Sequence, residues 1–176
     1  FTLRPTPDGL RTVVVSHETQ VGLSARLGRL VLAPRLRAAN QAMFDDLARA
    51  ARQGSELSLA LFDVDDFQST NRDSGPAAGD AVLRQVAAVL AESVRLVDTV
   101  GRIGGDEFVL VAPGSAGATV ARRVIDGIAA LPAVAGKQMS VSAGVAKFPT
   151  AGGDAETLIA AATAALVLAQ RAGPGY

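Results

Sequence analysis

Apolar residues recur along this chain with two different spacings, and the spacing changes near residue 36. In the first sixteen residues, two short apolar runs flank a Thr-Pro-Asp-Gly turn sequence, which predicts a small β-hairpin. Leu23, Leu27 and Leu30 then recur at helical spacing, which predicts a helix over residues 17–32. Ser16 is suited to cap that helix.

From about Leu36 onward, segments of helical spacing alternate with continuous apolar runs. The run LSLALFDVD, which ends in acids, is typical of a strand that is buried on both faces. Strands that alternate with helices predict an α/β or α+β sheet covered by helices. The predicted strands are Leu57–Asp65, Thr99–Ile103, Phe108–Ala112 and Met139–Phe148, and the predicted helices are Asn40–Gln53, one opened by Gly79 and Asp80, Ala118–Ala130 and Asp154–Ala172.

Composition restricts the classes of protein to which the chain can belong. At 176 residues with 49% hydrophobic content, it can build one ordinary core but not two comfortable domains. The 17 basic and 17 acidic residues cancel, so no global field favours nucleic acid or an anionic membrane as a partner. With no cysteine and a single histidine, His17, zinc is disfavoured and a reducing cytosol is expected.

The longest apolar run, Leu158–Ala169, is rich in alanine and shorter than the ~20 residues that a membrane span needs. We therefore expect a buried helix there and no membrane segment. The N-terminus shows no basic leader followed by an apolar stretch, so no export signal is expected.

The stretch RIGGDEFVLV, Arg102–Val111, raises the question of chemistry because it places two acids directly after two glycines. One reading is a β-hairpin in which Gly104 and Gly105 supply the positive φ angles of a tight turn and the acids face water. The other reading is a metal site for phosphate chemistry, at which the glycines leave room for a triphosphate. The turn alone does not decide between the two.

A second pair of acids favours the metal site. Asp63 and Asp65 lie at the end of the first predicted core strand. If that strand neighbours the strand after the Gly-Gly turn, four carboxylates meet and repel one another at one rim of the sheet, where ligands commonly bind. A hard divalent cation relieves such repulsion, and magnesium prefers a few carboxylates together with phosphate oxygens.

Six short motifs follow one another along the second part of the chain: FDVDDF (Phe62–Phe67), Asn71, Gly79 with Asp80, RLVD (Arg95–Asp98), RIGGDEF (Arg102–Phe108) and SVSAGVA (Ser140–Ala146). Together they resemble the GGDEF domain, the catalytic domain of bacterial diguanylate cyclases. The resemblance covers about Asn40–Gly173. It implies an α+β fold (an α/β sandwich), a nucleotidyl-cyclase or ferredoxin-like palm with a central mixed, mainly antiparallel sheet covered by helices.

The resemblance also implies an activity and a role for each matching residue. A homodimer would join two GTP molecules, one bound per subunit, into cyclic di-GMP. Asp63, Asp106 and the Val64 carbonyl would hold two magnesium or manganese ions per active half-site, and Glu107 would act on the metal or as the base for the attacking ribose hydroxyl. The implied substrate-binding residues are Asn71, Asp80, Asp66, Phe67, Gln68, Gly104 and Gly105, and the implied inhibitory product site is Arg95 with Asp98.

Plain structural roles stay open for two of these pairs. Asp80 can accept from the ring N–H and the amine of guanine together, but an acid in a first helical turn also complements the helix dipole. Asn71 can likewise cap a turn. Arg95 and Asp98 suit a nucleotide, but an i, i+3 ion pair at a helix end has the same spacing.

The chain departs from the family pattern where phosphate is held. The family usually carries Lys, Asp, Tyr, Lys and Arg, in that order, at the positions occupied here by Gln68, Thr163, Val167, Gln170 and Pro174. Losing the charge-assisted contacts of the last two, at ~1.5–3 kcal/mol each, would weaken GTP binding by about 10²–10⁴. Two hypotheses follow: a working but weak cyclase, or a non-catalytic module that senses GTP or cyclic di-GMP and signals to a partner domain.

We therefore predict two regions. Residues 1–35 form an N-terminal hairpin and signalling-helix linker that resembles the end of an upstream sensor module, and residues 36–176 form the GGDEF domain. We expect this domain in the cytoplasm, as part of a larger signalling protein.

Overall fold

The structure is a computed structural model that describes residues 45, 48–50 and 52–176. The hairpin predicted in the first sixteen residues, the helix predicted over 17–32, and Asn40 lie outside the described residues. Residues 45, 48–50, 52 and 53 are helical, which agrees with the helix predicted to end at Gln53.

Four strands and four further helices follow. All three pairings between the strands are antiparallel, in the order β2-β3-β1-β4. The predicted fold class is confirmed, and the part of the sheet that the structure describes is antiparallel throughout. The elements are β1 (Leu57–Val64), α1 (Phe67–Ser74), α2 (Pro76–Ser93), β2 (Thr99–Arg102), β3 (Glu107–Pro113), α3 (Gly117–Ala129), β4 (Val141–Phe148) and α4 (Ala155–Ala172).

The region between β1 and β2 differs from the prediction. Helix α1 was not expected, because its sequence FQSTNRDS carries no apolar stripe and buries only Thr70. Helix α2 begins at Pro76 rather than at Gly79, because Gly75 has a φ of 80° that ends α1 and the fixed φ of proline suits the first turn of the next helix. Asn71 and Asp80, the predicted guanine readers, therefore lie on two helices that are separated by one residue.

Strand β1 is the centre of the domain, and both of its faces are buried as predicted. Ala60, Phe62 and Val64 pack into one apolar cluster with residues of α2 and α3. Leu57, Leu59 and Leu61 alternate with them and pack into a second cluster on the opposite face, together with α4. The sheet is thus a layer between two sets of helices, with β1 flanked by β3 and β4.

Helix α4 was predicted to be buried, and this is correct for one side only. Leu158, Ala162 and Leu166 pack against the sheet, whereas Val167 and Leu168 are 40% and 64% exposed. By length and composition alone α4 would qualify as a membrane span. Its contacts with β4 and β1 are instead those of a helix that covers a sheet.

The packing of α4 on β4 requires a glycine at position 144. A Cβ atom there would lie 2.1 Å from the carbonyl oxygen of Ala162 and 2.2 Å from the amide nitrogen of Leu166. Both atoms belong to the helix backbone, so they cannot yield by a change of rotamer. The close approach buries Leu158, Ala162 and Leu166 against the strand.

We predict that Gly144→Ala lowers the free energy of unfolding by about 2–3 kcal/mol, because α4 must move away from β4. The melting temperature should fall by about 5–10 °C in a thermal unfolding experiment. Gly153→Ala is the matched control, since a Cβ at Gly153 meets nothing within 4 Å. Equal melting temperatures for the two variants would contradict the close packing of α4.

Candidate active site

The register between β1 and β3 brings the two predicted acid pairs to one rim of the sheet. Asp63 faces Glu107 directly across the two strands. The backbone N–H of Val64 donates to the carbonyl of Asp106 at 3.2 Å, which fixes the Gly-Gly-Asp-Glu turn beside the end of β1. The predicted meeting of these acids is therefore confirmed in the structure, although the roles assigned to them remain predictions.

Mutual repulsion and burial disturb the ionisation of these acids. The pKa of Asp63 is raised to about 7, first by burial and then by the negative charges of Asp106, Glu107 and Asp65. Burial also raises the pKa of Asp106, and burial together with the charge of Asp106 raises the pKa of Glu107. The rim therefore holds like charges close together, and the charge of Arg102 opposes the rise in the pKa of Asp106.

A hard cation fits this donor set. The residues that the structure describes contain no ready-made group of three or more acidic or imidazole ligands. Asp63, Asp106 and the Val64 carbonyl offer two carboxylates and one backbone oxygen, so any cation here needs further oxygens from a ligand or from water. That is the manner in which magnesium is usually bound, with phosphate oxygens and water completing the shell.

Asp65 lies close enough to the other three acids for its charge to raise the pKa of Asp63, so four carboxylates meet at this rim as predicted. Its carboxylate accepts hydrogen bonds from the hydroxyls of Ser140 and Ser142, at 2.6 and 2.7 Å, and from the backbone N–H of Gly175 at 3.1 Å. Asp65 thus ties the start of β4 and the C-terminal residues to the end of β1. Its role is to position neighbouring residues.

The backbone of the Gly-Gly turn lacks the positive φ angles that the hairpin reading predicted. Neither Gly104 nor Gly105 has a positive φ angle, so the left-handed conformation is not the reason for these glycines. A Cβ at Gly104 would lie 2.3 Å from Oε2 of Glu107, whereas one at Gly105 would meet nothing within 4 Å. Gly104 makes room for the Glu107 side chain, and Gly105 leaves open space above the turn.

Arg102 is a residue of the site that sequence reasoning missed. Its Nε atom donates to the Gly104 carbonyl at 3.1 Å, and its terminal nitrogen donates to the Gly105 carbonyl. Burial lowers the pKa of Arg102, while the charges of Asp106 and Asp80 oppose that effect. The guanidinium therefore holds the turn and lies between the acidic rim and Asp80. Its position two residues before Gly104 was the feature of the sequence that could have indicated a role at this turn.

Asn71 and Asp80 are brought close together by the packing of α1 against α2. A Cβ at Gly79 would lie 2.0 Å from Oδ1 of Asn71, so the Asn71 side chain rests on the backbone next to Asp80. Both residues are half-buried. The Asn71 carbonyl also accepts from the backbone N–H of Gly75, as in the turn-capping alternative, but its side chain is not needed for that bond.

The other predicted substrate-binding residues lie at the start of α1. Asp66 has a φ of 54°, and its side chain makes no capping hydrogen bond to the first turn of α1. Phe67 packs against the apolar cluster of β1, and Gln68 is exposed. Their roles in binding substrate therefore stay predictions.

Arg95 and Asp98 lie in a tight turn after α2, which ends at Ser93. The Asp98 carboxylate accepts from the backbone N–H of Arg95 at 2.7 Å, and the Asp98 N–H donates to the Arg95 carbonyl at 3.1 Å. The alternative of a helix-end ion pair is therefore not what this structure has. Asp98 stabilises the turn through the backbone, and the Arg95 side chain is exposed.

Gln170 contacts the acidic rim from the last turn of α4. Its Nε2 atom donates to Oδ1 of Asp63 at 3.0 Å, which slightly offsets the raised pKa of that carboxyl. Arg171 lies on the exposed side of the helix and does not replace a cation at position 170. Arg72 is paired with its neighbour Asp73 at 3.1 Å. Asp63 thus meets a neutral amide where the resemblance led us to expect a lysine.

Comparisons with known proteins agree with the geometry. Residues 34–175 match the family model described as "Diguanylate cyclase, GGDEF domain". Diguanylate cyclase DgcP of Pseudomonas aeruginosa is 37% identical over 147 residues, which are 80% of this chain and 22% of DgcP. Diguanylate cyclase DosC of Escherichia coli is 36% identical over 135 residues, which are 73% of this chain and 29% of DosC. The chain thus spans less than a third of the length of either relative.

Solved structures give the same result for the fold. The GGDEF domain of YfiN (TpbB) from Pseudomonas aeruginosa has a TM-score of 0.70 at 29% identity, covering 77% of this chain and 91% of that one. The GGDEF domain of DgcB from Caulobacter crescentus, solved in complex with c-di-GMP, has a TM-score of 0.68 at 28% identity, covering 78% and 85%.

We predict that Asp63→Asn stabilises the protein when divalent metal is removed with a chelator at pH 8. The folded pKa of about 7 lies above the ordinary value of 3.8, so ionisation of Asp63 costs the most stability above pH 7, and this cost declines as the pH falls from 7 toward 3.8. The expected gain, reduced by solvent screening at the half-buried rim, is about 1–2 kcal/mol, or about 3–6 °C in melting temperature.

At pH 5 this gain should shrink, because the wild-type carboxyl then carries a proton. Asp126→Asn on α3 is the control, since Asp126 is an exposed acid and the same change there should stay within about 0.5 kcal/mol. A gain that is the same at both pH values would show that repulsion at the rim is not its cause.

We further predict unequal costs for two Asp→Ala variants. Asp65→Ala removes three hydrogen bonds to a charged group and should lower the free energy of unfolding by about 2–3 kcal/mol. Asp73→Ala removes the exposed ion pairs with Lys137 and Arg72 and should cost about 0–1 kcal/mol. Chemical denaturation of both variants tests this, and a smaller loss for Asp65→Ala would refute its positioning role.

Proposed function

The chain belongs to the GGDEF domain family, and from this premise we propose that it is a diguanylate cyclase domain that condenses two GTP molecules into cyclic di-GMP and two pyrophosphates. The observation that carries this proposal is the pairing of Asp63 with Glu107 across β1 and β3, beside Asp106. An acidic rim of this kind is unfavourable for stability and suits a site that receives cations together with phosphate.

Each GTP would act once as the nucleophile, through its 3′ hydroxyl, and once as the electrophile, at its α-phosphorus. The 3′ hydroxyl oxygen of one GTP forms a bond to the α-phosphorus of the other, and the bond from that phosphorus to pyrophosphate breaks. The proton of the hydroxyl passes to Glu107, which is the exposed first residue of β3 and part of the acidic rim. Repetition with the roles exchanged closes the ring.

Asp63, Asp106 and the Val64 carbonyl would hold magnesium or manganese, two ions per half-site. When bound, these ions would neutralise charge on the phosphates and favour ionisation of the attacking hydroxyl. The uncapped start of α1 offers backbone N–H groups to the same phosphates. Gly105, above which there is open space, allows their close approach.

Asp80 and Asn71 would select guanine. A carboxylate accepts from the ring N–H and the exocyclic amine of guanine, whereas adenine would oppose it with an acceptor. The closeness of Asn71 to the start of α2 supports their joint use, and Arg102 links Asp80 to the metal-binding turn. GTP is therefore the expected substrate.

Catalysis requires two subunits, because each site binds one GTP and supplies one half of the reaction. We therefore propose an active homodimer in which two rims face each other, so that proximity supplies much of the rate. Arg95 and Asp98 would bind the cyclic di-GMP product and allow feedback inhibition, with the exposed Arg95 side chain available for a phosphate or guanine.

One observation supports a second function. Gln170 places a neutral amide on Asp63, and Gln68 and Pro174 offer no charge to phosphate either. A site that has kept its acids but holds the triphosphate weakly could serve as a non-catalytic module that senses GTP or cyclic di-GMP. In that case a signal to a partner domain would replace the reaction.

We predict that the full chain at high concentration forms cyclic di-GMP from GTP and magnesium, measured by liquid chromatography with mass detection. Glu107→Gln should lower the rate at least about 100-fold, because it removes the base. Glu56→Gln is the matched control, since Glu56 is exposed at the opposite end of β1 and its loss should leave the rate within about twofold.

Calorimetric titration with GTP and with cyclic di-GMP separates the two functions. Absence of product together with binding that is weakened by Asp80→Asn or Arg95→Ala would replace the cyclase with the sensing module. Absence of both product and binding would refute both functions.

A further inference from the structure

Helix α1, which carries Asn71, has few apolar contacts to hold it in place. Of its eight residues only Thr70 is buried, and its one apolar residue, Phe67, packs against the cluster of β1. Asp66 and Gly75 have φ angles of 54° and 80°, so the backbone turns sharply at both ends of the helix. Polar contacts therefore contribute more to the position of α1 than to that of α2 or α3, each of which buries six residues.

Lys137 supplies such polar contacts from another part of the fold. Its Nζ atom donates to the hydroxyl of Ser69 and to Oδ2 of Asp73, each at 2.8 Å. The hydrogen bond from Lys137 is the largest cause that lowers the pKa of Asp73. Arg72 also contacts Asp73, but it belongs to α1 and cannot join that helix to another element. Lys137 joins α1 to a segment 64 residues further along the chain than Asp73.

The backbone around Lys137 is fixed by its own contacts. Val134 and Lys137 exchange two backbone hydrogen bonds, at 2.9 and 3.0 Å, across a turn in which Ala135 and Gly136 have φ angles of 52° and 79°. Nε2 of Gln138 donates at 3.0 Å to two carbonyls at and just after the end of α3. A left-handed alanine is uncommon and persists only where the surrounding structure holds it. The turn therefore gives Lys137 a fixed base.

Lys137 and Asn71 lie on opposite sides of α1. Successive residues of a helix are about 100° apart, so Asn71 is about 160° from both Ser69 and Asp73 around the helix axis. On its own side, the Asn71 side chain rests on the backbone of Gly79, where a Cβ atom would lie 2.0 Å from Oδ1. Helix α1 is thus held between Lys137 on one side and the start of α2 on the other.

We propose that Lys137 is a positioning residue for guanine recognition, which keeps the Asn71 side chain beside Asp80 by holding the opposite side of α1. This role rests on the proposed function, because it deepens the guanine-reading role of those two residues. Lys137 acts through the helix and does not itself contact the nucleotide. If α1 moved, Asn71 would lose its place against a nucleobase bound at Asp80, whereas the acidic rim would be unchanged.

Lys137→Ala in the full chain tests the proposal, and Lys147→Ala is its matched control. Lys147 is the only other lysine of the chain and is exposed on β4 opposite Ser58, at the end of the sheet away from the rim. We expect Lys137→Ala to weaken GTP binding in a calorimetric titration, and to raise the KM of GTP, about fivefold while kcat stays within about twofold. Lys147→Ala should change neither value by more than about twofold.

Lys137→Arg should restore most of the affinity, because arginine can donate to the same two acceptors. The contacts of Lys137 are exposed, so the melting temperature of Lys137→Ala should fall by no more than about 4 °C. Amide hydrogen exchange without nucleotide gives a second readout. Residues 67–74 should exchange at least about threefold faster in Lys137→Ala, whereas residues 76–93 should keep the wild-type rates.

Asp73→Ala separates positioning from a simple effect of charge. GTP is an anion, so a loss of charge alone would weaken its binding in Lys137→Ala and strengthen it in Asp73→Ala. Loss of the contact between them weakens binding in both variants, and the double variant then binds GTP no more weakly than either single variant.

Opposite changes of GTP affinity in the two single variants would overturn the positioning role and leave the proposed function intact. Unchanged affinity, or unchanged exchange of residues 67–74, in Lys137→Ala would do the same. Failure of the proposed function is distinguishable, because the wild-type chain itself would then not bind GTP. That result would overturn the role of Lys137 in guanine recognition as well.

Discussion

The antiparallel pairing of β1 with β3 is the constraint on which the candidate site depends. Apolar side chains on both faces of these strands fix their register, because a slip by one residue would exchange the side chains of the two apolar clusters. The same register sets Asp63 opposite Glu107 at the strand end. The free energy of the core therefore holds together carboxylates that would otherwise separate.

The surroundings of the rim limit this repulsion without removing it. Arg102 holds the carbonyls of the Gly-Gly turn and balances part of the charge of Asp106. Asp65 adds a fourth negative charge, and two serine hydroxyls and a backbone amide donate hydrogen bonds to its carboxylate. The pKa of Asp63 remains raised, as expected for a site arranged for a ligand rather than for stability.

Helix α4 contacts both the sheet and the candidate site. One side packs so closely on β4 that only glycine fits at position 144, and the last turn delivers the Gln170 amide to Asp63. The other side is apolar and exposed at Leu168. A neutral residue at 170 holds the Asp63 carboxylate by a hydrogen bond and adds no positive charge beside it.

The strands, the fold class and the pairs of acids could be predicted from the sequence, because buried strands and glycine turns leave strong local patterns. The sequence did not reveal α1, whose polar residues form no stripe, or the hydrogen bonds that the Asp65 carboxylate accepts. The folded structure was needed to show which acids face one another, how Arg102 and Gln170 contact them, and which side of α4 is covered. Those contacts join residues as far apart as Asp63 and Gln170, and the partner of a side chain across such a distance is set by packing and not by local pattern.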